Sequence, residues 1–114
     1  MEIRLLVIRT SDQKRLADFY SLLGLKFDYH KHGNSPMHYS AEIGSLVLEI
    51  YPLAKYQTEP DINMRLGFAI DNFEETLKLL SNNDIIYPEP LQTDFGFLTI
   101  VSDPDGRKIE LYKK

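Results

Sequence analysis

The chain of 114 residues contains no cysteine. This excludes a disulfide framework and a thiol nucleophile. Positive charge is not in excess either: 13 Lys and Arg stand against 17 Asp and Glu, a formal net charge of −4. Such a balance leaves no broad cationic surface, which argues against nucleic acid as a partner. No apolar run is long enough to span a bilayer, and no apolar segment follows a basic start, so a soluble cytoplasmic protein is the expectation. Missing too are a Gly-x-Ser-x-Gly nucleophile turn and a phosphate-binding glycine loop. What remains is a length suited to one domain and 43% apolar residues, enough for a modest core.

The most informative stretch is the last one, Ser102-Asp103-Pro104-Asp105-Gly106-Arg107-Lys108-Ile109-Glu110-Leu111-Tyr112. Pro104 presets one backbone angle, Gly106 tolerates positive φ, and the two Asp side chains can cap backbone amides. An apolar run, Phe97 to Val101, enters this turn and a mixed run, Lys108 to Tyr112, leaves it, which predicts a hairpin. Glu110 sits between Ile109 and Leu111, so it faces away from both. The same apolar-Glu-apolar-Tyr pattern occurs at Leu48-Glu49-Ile50-Tyr51. Two copies, each closing half of the chain, point to a duplicated unit.

In chain order, Leu5 to Ile8 reads as a buried strand. Ser11 or Asp12 caps a helix whose apolar face is Leu16, Phe19, Tyr20 and Leu23, and Gly24 ends it. Leu25 to His30 alternates and predicts a strand. Lys31 to Pro36 is a loop, and Met37 to Ala41 with Ser45 to Tyr51 predicts a hairpin turning near Gly44. Residues 52–63 are polar, hold two prolines, and read as a linker. The order then repeats: a strand over Arg65 to Ile70, a helix capped by Asp71 with Glu74 as in a capping box, a short strand at Ile85-Ile86-Tyr87, and the final hairpin. The expectation is an α+β chain, a single domain over residues 1–114 made of two βαβββ modules at about 1–51 and 64–114.

Taken together, Thr10-Ser11-Asp12, Phe19-Tyr20, Leu23-Gly24-Leu25, Phe68-Ala69-Ile70-Asp71 and the Asp103-Pro104-Asp105-Gly106…Ile109-Glu110-Leu111 close resemble the glyoxalase/bleomycin-resistance/extradiol-dioxygenase (vicinal oxygen chelate, VOC) superfamily. The resemblance covers essentially the whole chain. It implies two modules whose sheets form a cup, with helices outside and a ligand inside. Alternation then puts Leu6, Ile8, Leu48, Ile50, Leu66, Phe68, Ile70, Ile109 and Leu111 under the helices. It puts Leu5, Val7, Arg9, Val47, Glu49, Tyr51, Arg65, Gly67, Ala69, Lys108, Glu110 and Tyr112 on the opposite faces, lining the cup.

Catalytic proteins of this family hold a divalent metal with one residue from each of four strands. Carried over by resemblance, those positions are Leu5, Glu49, Arg65 and Glu110. Leu5 cannot ligate, and Arg65 is a permanent cation. The expectation is therefore no resident metal, with Arg65 set between Glu49 and Glu110. If the hairpin turns at Ile43-Gly44, His38 lies directly across from Glu49, where it can hydrogen-bond the carboxylate, meet a ligand, or complete a fallback metal set of His38, Glu49 and Glu110. His30 and His32 fall in or beside a polar loop and receive no role. Arg9 and Lys108 add positive charge, and Tyr51, Tyr112 and Phe97 supply aromatic walls. One function is the reading adopted, and two alternatives stand beside it. The first is a small-molecule-binding, resistance-type protein without a metal, using Arg9, His38, Glu49, Tyr51, Arg65, Lys108, Glu110 and Tyr112. The second is a metal-dependent lyase, isomerase or dioxygenase, and the third a structural or partner-binding domain. Proteins resembling this one pair, so a homodimer with a small-molecule ligand and neither nucleic acid nor membrane as partner is expected.

Overall fold

A computed structural model describes all 114 residues. The element order is β1 (Leu5–Thr10), α1 (Gln13–Leu22), β2 (Asp28–His30), β3 (His38–Ile43), β4 (Leu46–Pro52), β5 (Leu66–Ile70), α2 (Phe73–Asn82), β6 (Leu91–Thr93), β7 (Gly96–Ser102) and β8 (Lys108–Lys113). The chain divides into two compact units, Met1–Asp61 and Ile62–Lys114. Each holds one βαβββ set. Neither helix is long and apolar enough to cross a membrane.

In the first unit the sheet order is β1-β4-β3-β2. Strand β4 runs parallel to β1, with Leu6 beside Leu48 and Ile8 beside Ile50, and antiparallel to β3, with Ala41 opposite Leu48. Paired residues share a face, so Leu6, Ile8, Ala41, Leu48 and Ile50 form one apolar surface. Helix α1 packs there through Leu16, Phe19 and Tyr20, all buried. Asp12 caps this helix by accepting a hydrogen bond from the Arg15 amide at 3.1 Å. The opposite face carries Leu5, Val7, Arg9, Glu49 and Tyr51 with Ser40 and His38.

The second unit repeats this as β5-β8-β7-β6. Leu66 pairs with Ile109 and Phe68 with Leu111, and Ile109 and Leu111 are fully buried. The other face carries Gly67, Ala69, Glu110 and Tyr112. The alternation expected for both modules is therefore observed.

Four expectations need correction. Strand β2 is only Asp28–His30, because it is an edge strand whose ladder reaches no further than three pairs with β3. The cap of α2 is Asn72, one residue later than expected, and makes no side-chain cap bond. Asp71 instead pairs with Lys114 at 3.1 Å and Glu74 with Lys113, so C-terminal lysines take the carboxylates of the expected capping box. The sixth strand is Leu91–Thr93 and not Ile85–Tyr87. Asp84 leaves the helix at φ 62°, and Tyr87 folds back to donate to the Leu77 carbonyl at 3.0 Å, while Pro88 and Pro90 bar a ladder. Finally, Phe97 walls no ligand face. It lies on the α2 side, with its ring centroid 5.8 Å from that of Phe73.

The Asp-Pro-Asp-Gly turn forms as the sequence requires, and it holds a feature the sequence did not reveal. Asp103 accepts from the amides of Asp105 (2.9 Å) and Arg107 (3.0 Å), and Gly106 adopts φ 101°. The Arg107 side chain turns inward, 1% exposed, onto Asp103 at 3.2 Å and Asp105 at 2.8 Å. This buried ion triad ties the hairpin end to its own core.

Candidate functional site

In the first unit the polar centre is Glu49. It lies on β4, between β1 and β3, with Val7 beside it and Ser40 opposite. Although charged, it is buried, so it requires partners. His38 supplies one: its Nε2 lies 3.1 Å from Glu49 Oε2. The contact is diagonal. The hairpin turns at Gly44-Ser45, with Ile43 opposite Leu46, so the ladder runs two positions from the expected register and Tyr51 takes the place facing His38. A shift by two keeps every side chain on its face, which is why His38 still reaches the carboxylate.

Three further contacts hold His38. Its Nδ1 donates to the Pro36 carbonyl at 3.0 Å. Its ring stacks on Tyr51, centroids 4.3 Å apart and planes 16° from parallel. Directly opposite on β2 is His30, with centroids 5.0 Å apart. Arg9 stands over the other flank of Tyr51, 5.0 Å from the ring centroid, and donates to the Pro52 carbonyl at 3.1 Å.

His32 reaches the same place from the loop. A tight turn closes around Ser35, whose hydroxyl accepts from the His32 amide at 2.8 Å and whose amide donates to the His32 carbonyl at 2.8 Å. His32 Nε2 then lies 3.9 Å from Glu49 Oε2. All three histidines of the chain thus converge on one carboxylate, with one ligand atom of each within 4.8 Å of the others. His30 and His32, given no role on sequence grounds, are thus part of this cluster. Three histidines between positions 30 and 38, on a strand end, a short loop and the next strand start, were the signal available in the sequence. Beside them a half-open cleft of about 500 Å³ is lined by Lys26, Asp28, His30, Ser40, Glu42 and Val47.

In the second unit the centre is Glu110 on β8, beside Gly67 and opposite Ile100. The Tyr112 hydroxyl donates to Oε1, and Arg65 Nη2 donates to Oε2 at 2.6 Å. The tyrosine's bond most of all, with the guanidinium adding to it against the opposing effect of burial, holds the Glu110 carboxyl below its usual range. The same bond raises the Tyr112 phenol. Tyr112 lies flat because two glycines leave room: a Cβ on Gly67 would meet its Cε1 at 3.3 Å, and one on Gly96 its Cδ2 at 3.4 Å. Lys108 opens β8 as an exposed residue opposite Ser102.

The expected site residues thus fall into two groups, each within one module. Arg9, His38, Glu49 and Tyr51 are brought together in the first; Arg65, Glu110 and Tyr112 are brought together in the second, with Lys108 at the start of the same strand. Arg65 engages Glu110, whereas Glu49 meets His38 at 3.1 Å.

Comparison with known proteins gives concordant results. A family model described as Glyoxalase/Bleomycin resistance protein/Dioxygenase superfamily matches residues 2–111. No curated protein matches the chain. Among solved structures, TnmS3, an antibiotic binding protein from Streptomyces sp. CB03234, superposes with a TM-score of 0.77 at 22% identity, over 99% of this chain and 95% of that one. The oxidase ChaP-H2 gives 0.78 at 17% identity, over 100% and 94%. A lactoylglutathione lyase from Agrobacterium tumefaciens gives 0.72 at 14% identity, over 98% and 92%. Likenesses at these identities describe a shared fold, and the names of the three proteins span binding, oxidation and lyase chemistry.

Proposed function

The chain belongs to the Glyoxalase/Bleomycin resistance protein/Dioxygenase superfamily, and on that premise we propose that it binds a small organic molecule without using a metal at the family's four-strand positions. The observation that carries this reading is the cleft on the helix-free face of the first sheet. Its volume of about 500 Å³ lies within the range of small-molecule sites. Val47 supplies an apolar patch, Lys26, Asp28 and Glu42 a charged rim, and Ser40 and His30 hydrogen-bonding groups. A ligand with an apolar body and both accepting and donating groups suits that lining. Arg9, His38, Glu49 and Tyr51 are its proposed contacts in the first module. Arg65, Lys108, Glu110 and Tyr112 are proposed as the binding groups of the second module taken by itself.

The four positions that the resemblance offers to a metal do not fit one. Leu5 has no lone pair, and Arg65 places a permanent cation on Glu110 at 2.6 Å. A divalent ion there would have to displace a charge-assisted hydrogen bond and would still lack a ligand. The chain accordingly falls with the binding proteins of the fold, such as the antibiotic binding protein TnmS3, and forms a homodimer.

The test begins with native mass spectrometry of the freshly purified protein, looking for a co-purified small molecule. It continues with titration of chelator-treated protein against a panel of aromatic acids and amphiphilic antibiotics. Binding in the micromolar range is expected, with Ser40→Trp, which fills the cleft, weakening it at least about tenfold, or ~1.4 kcal/mol. A folded protein that binds nothing would instead be a structural or partner-binding domain. Metal-dependent turnover of a panel compound would make it a lyase, isomerase or dioxygenase.

A further inference from the structure

The His38–Glu49 contact poses a chemical problem. The Nδ1 hydrogen of His38 is committed to the Pro36 carbonyl at 3.0 Å. In the neutral ring this leaves a lone pair on Nε2, and that lone pair faces Glu49 Oε2 at 3.1 Å. Two acceptors at hydrogen-bond distance repel unless something positive lies between them. His38 is fully buried and Glu49 nearly so, at 0% and 8% exposure, so solvent does not relieve the contact. A second group nearby lacks a partner: His30 Nε2 is buried and makes no hydrogen bond. A third, His32 Nε2, lies 3.9 Å from the same carboxylate oxygen.

We propose that His30, His32, His38 and Glu49 form a binding site for one divalent transition-metal ion, of the zinc, cobalt, nickel or copper class. A single cation would satisfy every anomaly together. It would accept the lone pairs of three imidazoles and stand between His38 and the carboxylate. The dimensions suit it. In a tetrahedral zinc site, metal–ligand bonds of about 2.0–2.1 Å put ligand atoms roughly 3.3–3.4 Å apart. Here the four ligand atoms already lie within 4.8 Å of one another. Modest rotation of the His32 and His30 side chains closes the difference, and His32 is free to rotate, its side chain being 67% exposed. The set of three imidazoles and one carboxylate selects borderline ions over magnesium or calcium, which take oxygen ligands.

The surroundings have the form that metal sites require. His38 is oriented by a backbone carbonyl on its other nitrogen, the usual outer-shell arrangement for a ligating histidine, and is backed by the Tyr51 ring. His30 and His38 face each other on paired strands, and Glu49 lies on an interior strand, so three of the four ligands rest on rigid backbone. The fourth comes from the loop between β2 and β3. Binding would therefore clamp that loop against the sheet, at one wall of the cleft that His30 also lines. None of His30, His32 and His38 occupies a position that the family resemblance offers to a metal; Glu49 alone belongs to both sets.

The experiment uses the full chain without a histidine tag, stripped with chelator and then titrated with Co²⁺ and Zn²⁺. One equivalent of Co²⁺ per chain with the intense visible bands of tetrahedral coordination is expected, displaced by Zn²⁺, and the melting temperature should rise with added Zn²⁺. Mg²⁺ and Ca²⁺ should do neither. His32→Ala alters an exposed side chain and should leave the melting temperature of the stripped protein unchanged. It should nevertheless weaken Zn²⁺ binding by more than the ~10–100-fold typical of losing an outer-shell partner. Substoichiometric uptake, or affinity unaltered in His32→Ala, would overturn the proposal. Ligand binding by chelator-treated protein is a separate measurement, so failure here and failure of the small-molecule reading are told apart.

Discussion

Tyr51 lies parallel to His38 at 4.3 Å and beneath the guanidinium of Arg9 at 5.0 Å. Because β4 runs between β1 and β3, the phenol ring is the middle layer of a stack of guanidinium, phenol and imidazole, carried on three adjacent strands. Aromatic pairs contribute about 0.5–1.5 kcal/mol beyond their buried area, and an exposed cation over a ring about 0.5–1 kcal/mol. Tyr51→Leu keeps an apolar side chain but removes both interactions. It should destabilise the protein by about 1–2 kcal/mol, read by urea denaturation, and should also loosen His38. A change below about 0.5 kcal/mol would mean that the stack contributes nothing measurable.

Arg107 is the most deeply buried charge, between Asp103 and Asp105. Deleting one member of a buried ion pair strands the other, at a cost of about 3–5 kcal/mol. Arg107→Met, similar in length, should lower stability by about that amount, while Arg107→Lys should recover only part because the shorter lysine stem holds its ammonium back from the place where Nη1 meets both carboxylates. Chemical denaturation of both variants decides it. Equal stability of Arg107→Met and wild type would show the triad to be energetically neutral.

The Glu110 carboxyl is held below its ordinary value of 4.5, first by the Tyr112 hydroxyl and then by Arg65. A carboxylate whose pKa falls on folding adds stability above its unfolded pKa and loses it as pH drops through the folded value. The stability gap between wild type and a Tyr112→Phe/Arg65→Ala double variant should therefore be widest above pH 4.5 and close as the solution is acidified below it. Arg65 is half exposed, so its own share belongs with surface pairs, about 0.2–1 kcal/mol, and should shrink in high salt. Denaturation curves across pH 2–7 check this, and a gap that persists unchanged in acid would exclude Glu110 as its source.

Each four-stranded sheet has open edges, and exposed apolar side chains lie on or beside them: Leu5 on β1, Tyr29 on β2, Leu91 on β6 and Phe95 just after it. Unpaired edges with apolar side chains favour association. Light scattering at micromolar concentration should return about twice the chain's 13.2 kDa. A monomeric mass would rule out the homodimer.

Much of this architecture is written locally. The βαβββ order follows from hydrophobic period and turn chemistry, which act over a few residues: Asp12 before an apolar helix face, Gly44 at a hairpin, Asp-Pro-Asp-Gly between two strands. Strand alternation alone put Glu49, Tyr51, Glu110 and Tyr112 on the faces away from the helices, and an error of two in the β3–β4 register changed no face. What the sequence by itself could not determine was which polar groups meet. Asp71 and Glu74 satisfy a capping-box pattern, yet Lys114 and Lys113, some forty residues away, take both carboxylates. Arg107 reads as an ordinary hairpin residue until the turn folds it onto two aspartates. His30 and His32 look like loop histidines because period and propensity say nothing of how far a loop reaches. Only the closure of that loop over Glu49, set by the β2–β3 pairing and the turn at Ser35, brings three imidazoles and the carboxylate together. Local chemistry selects elements within a few residues, whereas the partner of a buried charge is chosen by whatever the completed sheet places within about 4 Å of it, the reach of an ion pair or hydrogen bond.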